Sequence, residues 1–569
     1  MLGKINKIII NKIPTKWRKR VITTLFLVSA YISLSAQVPT WQWAEQAFGS
    51  GSNQIIQEGM SIALDGSNNI YVAGVFSDTA QFGTTSLVCH DTFNHLNNYL
   101  AKYNQAGALL WAKGFSGYYP YIATDQAGNI YVTGRFGFAT NETIDTFHLT
   151  SAGTADIFLA KFNSSGNTLW VKTFGGSSFD SPEAIATDPN GNIFITGFFM
   201  SPSLSFGSIT VTNTTFGDKV FVVKLDSSGN GLWAKSAGGI SNDISDAIAT
   251  DNLGNVYFMG NFNSPSINFG TTNLIKIGHT DDFIVKLDQN GGEIWARSIG
   301  TATYQNQDGY ISVNNAGEIF LADRVITNSG NSSFPTLYKY DTSGTLLWTR
   351  QGQCSCSFFG PWGLAADNNG NVFMVSGGNS GVINFGTISL NMNNPDEDNS
   401  YLIEYDSNGT AIWGQVNNGG GDDDAPMIID NNCHLFLSGD FYTSQFIIGS
   451  DTLVNSNAVE LAYLAKLNLP CSFTGVAEPL KSKAEITISP NPATTQLTIQ
   501  SRTYGNNSTI ETIHIYNVLG EMVQSSDIGH RTSDVTLDVS GLNKGIYFIE
   551  VGLIRGDNNQ IIRKKFVKE

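Results

Sequence analysis

Oxygen ligands at a regular spacing are the first feature that could do chemistry. Eight residues before each of a series of repeated turn residues stand Gln57, Gly117, Asp180, Asp243, Asn306, Phe359 and Asp422. Asp422-Asp423-Asp424 also follows a glycine run, Gly419-Gly420-Gly421. Carboxylates gathered at one pore mouth could hold Ca²⁺; no other cofactor is expected. The plainer reading is solvated loop acids. Cys89-His90-Asp91 with His95, and His148 further on, could supply a metal ligand or a catalytic imidazole, or simply be polar loop residues. Trp362 stands off the repeat beside Phe358-Phe359-Gly360-Pro361 and is the best aromatic candidate for ligand binding. No Ser-His-acid motif and no phosphate loop stands out. Acid pairs for glycoside hydrolysis are a matter of distance in space, which spacing along the chain does not give.

The elements that must position these residues come from a repeat. Asp65, Asp125, Asp188, Asp251, Asn314, Asp367 and Asp430 each open a short turn that leads into an aliphatic-aromatic pair such as Ile70-Tyr71 or Val256-Tyr257. Successive first residues lie 60, 63, 63, 63, 53 and 63 apart. Trp111, Trp170, Trp233, Trp295, Trp348 and Trp413 run in step, each after a second turn such as Asp226-Ser-Ser-Gly229. Such a period signals a propeller or a solenoid. Residues 246–298 read as four strands around those two turns, which is one propeller blade. The last unit has three strands and no tryptophan strand, while Trp41-Gln-Trp43-Ala leads the first unit unpaired. Trp43 therefore fits the missing fourth strand, closes the ring and hides the sheet edges. The tryptophans, Trp43 included, are expected to pack between blades.

This region resembles the SBBP repeats, a β-propeller repeat family of exported bacterial proteins. The fifth unit departs from the pattern at Asn314 and Glu318, the seventh at Cys433 and His434. There is no WD dipeptide array. One side of the sheets carries the near-identical turns and reads as scaffold. The other carries long, varied segments, where binding is expected.

Both ends read as addresses. Seven Lys/Arg and no acid precede an apolar run from Val21 to Leu34, then Ser35-Ala36. That is a secretory signal peptide, too short to span a bilayer. The tail carries Pro490-Asn491-Pro492, Gly520, Gly545-Ile-Tyr547-Phe and a basic last strand with Lys564 and Lys565. In that order these motifs resemble the type A sorting domain of the type IX secretion system. The resemblance implies contact with that secretion machinery, export across the outer membrane, and removal of the tail by a sortase-like peptidase.

Charge narrows the partners. Residues 37–476 hold 15 bases and 38 acids, net −23. Such a body repels nucleic acid and anionic lipid. Eleven of those 15 bases hold repeat positions: Lys102, Lys161, Lys224, Lys286, Lys339 and Lys466 on third strands, and five more after the tryptophans. They read as solvated edge-strand charge. Arg135, Lys219, Lys276 and Arg324 stand off the repeat. The five cysteines read as incidental thiols or one or two staples.

The expected fold is all-β: a seven-bladed β-propeller closed by an N-terminal strand, then a small immunoglobulin-like β-sandwich. The expected domains are a signal peptide at 1–36, the propeller at 37–470, a linker at 471–484 and the sorting domain at 485–569. The expected function is a non-enzymatic, secreted or surface binding protein for a glycan or protein ligand, with no nucleic acid partner and no transmembrane helix in the mature chain. Asp180, Asp243, Trp362, Asp422, Asp423 and Asp424 are the candidate ligand contacts. The alternatives are an extracellular carbohydrate-active propeller enzyme or a structural surface-layer component.

Overall fold

A computed structural model describes residues 38–49, 57–91, 96–138, 142–300, 304–327, 333–354, 358–378, 381–392, 399–418, 425–455, 460–470, 484–503, 509–517, 522–532, 534–555 and 558–569. The expected signal peptide, residues 471–483, His95, Asp422, Asp423, Asp424 and Gly520 lie outside them. Every regular element among the described residues is a β-strand. These residues divide into two compact units, on either side of residues 471 and 472.

Among the described residues, the first unit holds seven four-stranded antiparallel sheets. One of them runs Asp243–Thr250, Val256–Phe262, Asp281–Leu287, Glu293–Ile299, each strand beside its sequence neighbour. Its second and third strands are buried at every position. Their centres are apolar, residues 256–259 and 283–285, with Asp281, Asp282 and Lys286 buried beside them, whereas the fourth strand is half-exposed. The first strand starts at Asp243 itself, earlier than the apolar run alone suggests, and bulges between Ser245 and Ala247.

The seventh sheet draws on both ends of its unit. Thr40–Gln46 pairs with Leu461–Asn468, which pairs with His434–Phe441 and then Met427–Ile429. In that register Trp43 lies opposite Lys466, as each later tryptophan lies opposite a third-strand residue.

Several of the long segments are not plain loops. Ser203–Phe206 with Ile209–Thr212, and Gln445–Ile448 with Asp451–Val454, form short hairpins. Leu204, Phe206 and Val211 enter the core, so the hairpin caps the outer edge of its sheet. The fifth sheet connects Ile319–Thr327 to Ser333–Tyr340 over too few residues for such a hairpin. That accounts for the one short interval of 53 in the repeat.

The cores lie between sheets. Phe194, Val220 and Val222 of the third sheet cluster with Val256, Phe258 and Phe283 of the fourth. Phe436, Ala462 and Leu464 of the seventh cluster with Ile62, Val72 and Tyr99 of the first. Each sheet thus needs its neighbours to bury its faces.

The second unit pairs a three-stranded sheet with a four-stranded one. Leu497 and Ile499 of the first, and Ile513, Ile515, Ile549 and Val551 of the second, form its core.

Candidate functional site

The turn side is locked by its own polar groups. Asp188 Oδ1 accepts the amides of Asn190 and Asn192 at 2.9 Å, and its Oδ2 accepts the Asn192 side chain at 2.7 Å. Asp65, Asp125, Asp251 and Asp367 repeat the motif. An Asx turn of this kind needs a residue that tolerates positive φ at its fourth position, which Gly191 supplies at 77°. In the seventh sheet Cys433 takes that place at 61°, and His434 replaces the asparagine, its Nδ1 2.8 Å from Asp430. Cys433 is disulfide-bonded and Cys89 is a free thiol.

The third-strand lysines are not solvated edge charge, contrary to the sequence reading. Lys102, Lys224, Lys286, Lys339 and Lys466 are buried. Each reaches a carbonyl in the turn of the next sheet, and the tryptophan opposite it donates to the same atom. Lys102 and Trp111 meet on Ser164 O at 3.0 and 3.3 Å; Lys224 and Trp233 meet on Gln289 O at 3.1 Å each. Lys286 with Trp295 and Lys339 with Trp348 do the same on Thr342 and Ser407. Lys466 and Trp43 of the seventh sheet meet on Gln105 O of the first, at 3.4 and 3.2 Å. The ammonium groups also lie over the aromatic ring of the second strand, as Lys286 does over Tyr257 at 4.8 Å. The tryptophans themselves are mostly half-buried clasps rather than full core residues.

Two departures from the repeat are electrostatically coherent. In the fifth sheet Asn314 replaces the turn aspartate, and Glu318 four residues on restores the anion, 2.9 Å from Lys339. In the sixth sheet Glu404 stands where the lysine belongs, fully inside. The turn such a lysine would reach does not exist in the seventh sheet, whose outer strands come from opposite ends of the unit. Burial, with Asp367 adding repulsion, pushes Glu404 up to about 7.

Asp180 and Asp243 sit in matching cradles, both wholly buried. Asp180 Oδ2 accepts Ser201 Oγ and the Gly176 amide, each at 2.7 Å. Asp243 Oδ2 accepts Ser264 Oγ at 2.6 Å and the Gly239 amide at 2.8 Å. Both therefore tie one long segment to the loop that enters the sheet. Burial raises Asp180 to about 6 against the pull of those hydrogen bonds. Trp362 is 5% exposed and packs with Phe373, Met427 and Tyr463. Its ring occupies the space above Gly377, where a Cβ would lie 1.7 Å from Cη2. Asp180, Asp243 and Trp362 thus each have partners inside the chain, and Asp422, Asp423 and Asp424 are not described.

What does open on the long-segment side is a cavity of about 520 Å³ between the first and second sheets. Its polar wall includes His90, Asp91, Asn97, Glu142 and Asp145; Leu87 and Phe115 form an apolar wall. Asp91 accepts the Tyr118 hydroxyl. Burial raises the pKa of Asp145, but Lys113, 2.5 Å away, and Thr168 outweigh it and hold the carboxyl below its ordinary range. Among the described residues, no group of three or more His, Cys, Asp or Glu is arranged to hold a metal ion.

Beside the cavity lies an aromatic shelf. Tyr118 meets Phe138 edge-on at 4.9 Å, and Phe179 stacks on Phe198 at 5.9 Å. Arg135 sits 4.3 Å over Tyr119, a residue at φ 53° and 42% exposed. A tyrosine in the left-handed region is uncommon and marks a constrained site. The signal in the sequence is modest: an off-repeat arginine, and two adjacent tyrosines, Tyr118-Tyr119, that no other unit carries at those positions.

In the second unit the expected motifs converge on the last strand. Asn491 Oδ1 accepts the Val567 amide at 2.9 Å, and the Ala493 amide donates to Val567 O at 2.8 Å. Gly545 pairs with Lys568, and Tyr547 stacks on Phe566 at 5.6 Å. The peptide bonds before Pro490 and Pro492 are both cis. Lys564 and Lys565 stay exposed on that strand.

Comparison with known proteins agrees with both units. A family model described as a secretion system C-terminal sorting domain matches residues 487–569, and one described as a beta-propeller repeat matches residues 169–197. The chain is a β-propeller protein with a type IX sorting tail, an address for the cell surface or the medium beyond it. It is 26% identical over 414 residues to an uncharacterized WD repeat-containing protein of Acanthamoeba polyphaga mimivirus. That match covers 57% of this chain and 30% of the other, so the chain spans about a third of its curated relative's length. A protein of unknown function from Dyadobacter fermentans is similar at TM-score 0.34 and 11% identity, over 75% of this chain and 99% of that one. PorZ, a surface component of the type IX secretion system of Porphyromonas gingivalis, is similar at TM-score 0.28 and 12% identity, over 89% and 70%.

Proposed function

We propose that this exported chain is a non-enzymatic binding protein, for an extracellular glycan or protein ligand, built on a closed seven-bladed propeller. The core shared by the seventh and first sheets favours closure, as do Lys466 and Trp43 on the first sheet's turn. The observation that carries the binding reading is the open polar cavity on the varied side, opposite a turn side whose polar groups are already paired. After export a sortase-like peptidase removes the tail, and the propeller is released or attached at the surface.

The test is to screen the purified full chain against extracellular polysaccharides and surface proteins while assaying the same sugars for cleavage. Binding without release of new sugar ends is the expected result. Turnover would replace this reading with an enzymatic one. Silence in both assays would favour a structural surface-layer role.

A further inference from the structure

We propose that the cavity between the first two blades takes a neutral, hydroxyl-rich ligand: a saccharide unit of an extracellular glycan. This rests on the reading of the chain as a binding protein and adds where and what it binds. Asn97 is 5% exposed and lines the cavity, and its buried Oδ1 has no hydrogen-bond partner in the chain. Buried polar atoms are paired as a rule, so an enclosed, unpaired acceptor on a residue of the cavity wall points to a donor that a ligand brings once the side chain turns toward it.

The charge pattern selects the class. Among the described residues, three carboxylates and no lysine or arginine line the cavity, which disfavours an anion. Those carboxylates already have company: Asp145 is ion-paired to Lys113, Asp91 accepts from Tyr118, and Glu142 accepts the Gly137 amide. A cation would compete with those partners. A hydroxyl, by contrast, can both donate and accept and carries no charge to compete with them. Leu87 and Phe115 give the apolar wall that the C–H face of a sugar ring covers, and the volume suits a small ligand.

The cavity wall also departs from the repeat at one position. The residue that is Asp180 in the third sheet and Asp243 in the fourth, each filling its cradle, is Gly117 at the second. Gly117 lines the cavity at φ 119°. A Cβ there would lie 2.9 Å from Asn98 Nδ2, so the bare backbone is required.

The experiment uses the folded full chain on immobilised neutral gluco-, manno- and galacto-oligosaccharides, with chitosan oligomers, spermidine and surface proteins alongside. Asn97→Leu and Ser116→Trp alter the wall; Ser86→Trp blocks the exposed rim without touching the interior. Expected is binding to at least one neutral series, weakened at least about tenfold by each variant. Asn97→Leu should leave the melting temperature unchanged or raised, because it removes an unpaired buried polar atom. Neutral-sugar binding that survives Ser86→Trp and Asn97→Leu in folded protein would overturn the cavity assignment and leave the binding reading intact. Cavity-dependent binding of the amines alone would overturn the ligand class. Capture of surface proteins without any sugar would overturn this proposal only. No binding to any probe would overturn both.

Discussion

Asp188 and Asn97 show the two sides of the propeller at the scale of single side chains. Asp188, on the turn side, accepts three hydrogen bonds from its own turn and faces Lys224 at 3.4 Å. Asn97, on the long-segment side, is almost as buried yet keeps an acceptor unused. Turn residues recur because each must satisfy the same atoms in the same geometry. Residues on the opposite side are free to differ, since hairpins and cradles hold the segments from behind. Uniform, saturated chemistry marks the scaffold, and an unsaturated group on a varied frame marks the place for a ligand.

Changes on the turn side should test that contrast most severely. Asp188→Ala leaves Lys224 buried without its anion and frees two turn amides. A loss of roughly 3–5 kcal/mol is expected in denaturant unfolding. Gly344→Leu comes next. The site has φ 75° and its Cβ would lie 2.8 Å from the Trp295 ring. Backbone strain plus overpacking should remove roughly 2–4 kcal/mol.

The sixth sheet offers a way to sharpen the comparison, because its clamp carries the wrong sign. Glu404 titrates near 7 in the fold against an ordinary 4.5. The folded state therefore binds this proton more tightly than the unfolded chain does. Stability should be greatest below the ordinary value and fall as pH rises toward 7, with the cost fully present above it, roughly 3 kcal/mol. Glu404→Gln should flatten that slope, and denaturation midpoints from pH 4 to 8 would show it. An unchanged slope would mean that another group carries the dependence. The smallest expected change in stability is on the other side. Ser86→Trp, at an exposed rim, should shift unfolding by no more than about 0.5 kcal/mol while abolishing ligand binding.

Much of the scaffold was legible because its interactions are local. An Asx turn is written in five consecutive residues, and the interval of the repeat places the sheets. The shared clamp was not legible, since Lys102 reads as an exposed base until Ser164, 62 residues on, is seen to supply a carbonyl. Trp362 looked available because nothing nearby in sequence covers it; Gly377, on the neighbouring strand, makes the room that buries it. Asp180 and Asp243 resembled open ligands because Ser201 and Ser264 lie 21 residues away. The cavity left a partial trace, since His90 and Asp91 of the Cys89-His90-Asp91 cluster line it. Its other walls, among them Leu87, Phe115 and Asp145, come from separate stretches that no single segment of sequence brings together.

The division of labour between the two sides can be tested by one paired measurement. Ser86→Trp on the long-segment side and Ser228→Trp on the turn side are both exposed substitutions in the full chain. Binding of each to the neutral oligosaccharide series is compared with that of the unaltered chain. Expected is loss with Ser86→Trp and retention with Ser228→Trp. Loss with Ser228→Trp alone would place recognition on the repeated turns and contradict the assignment of scaffold and site.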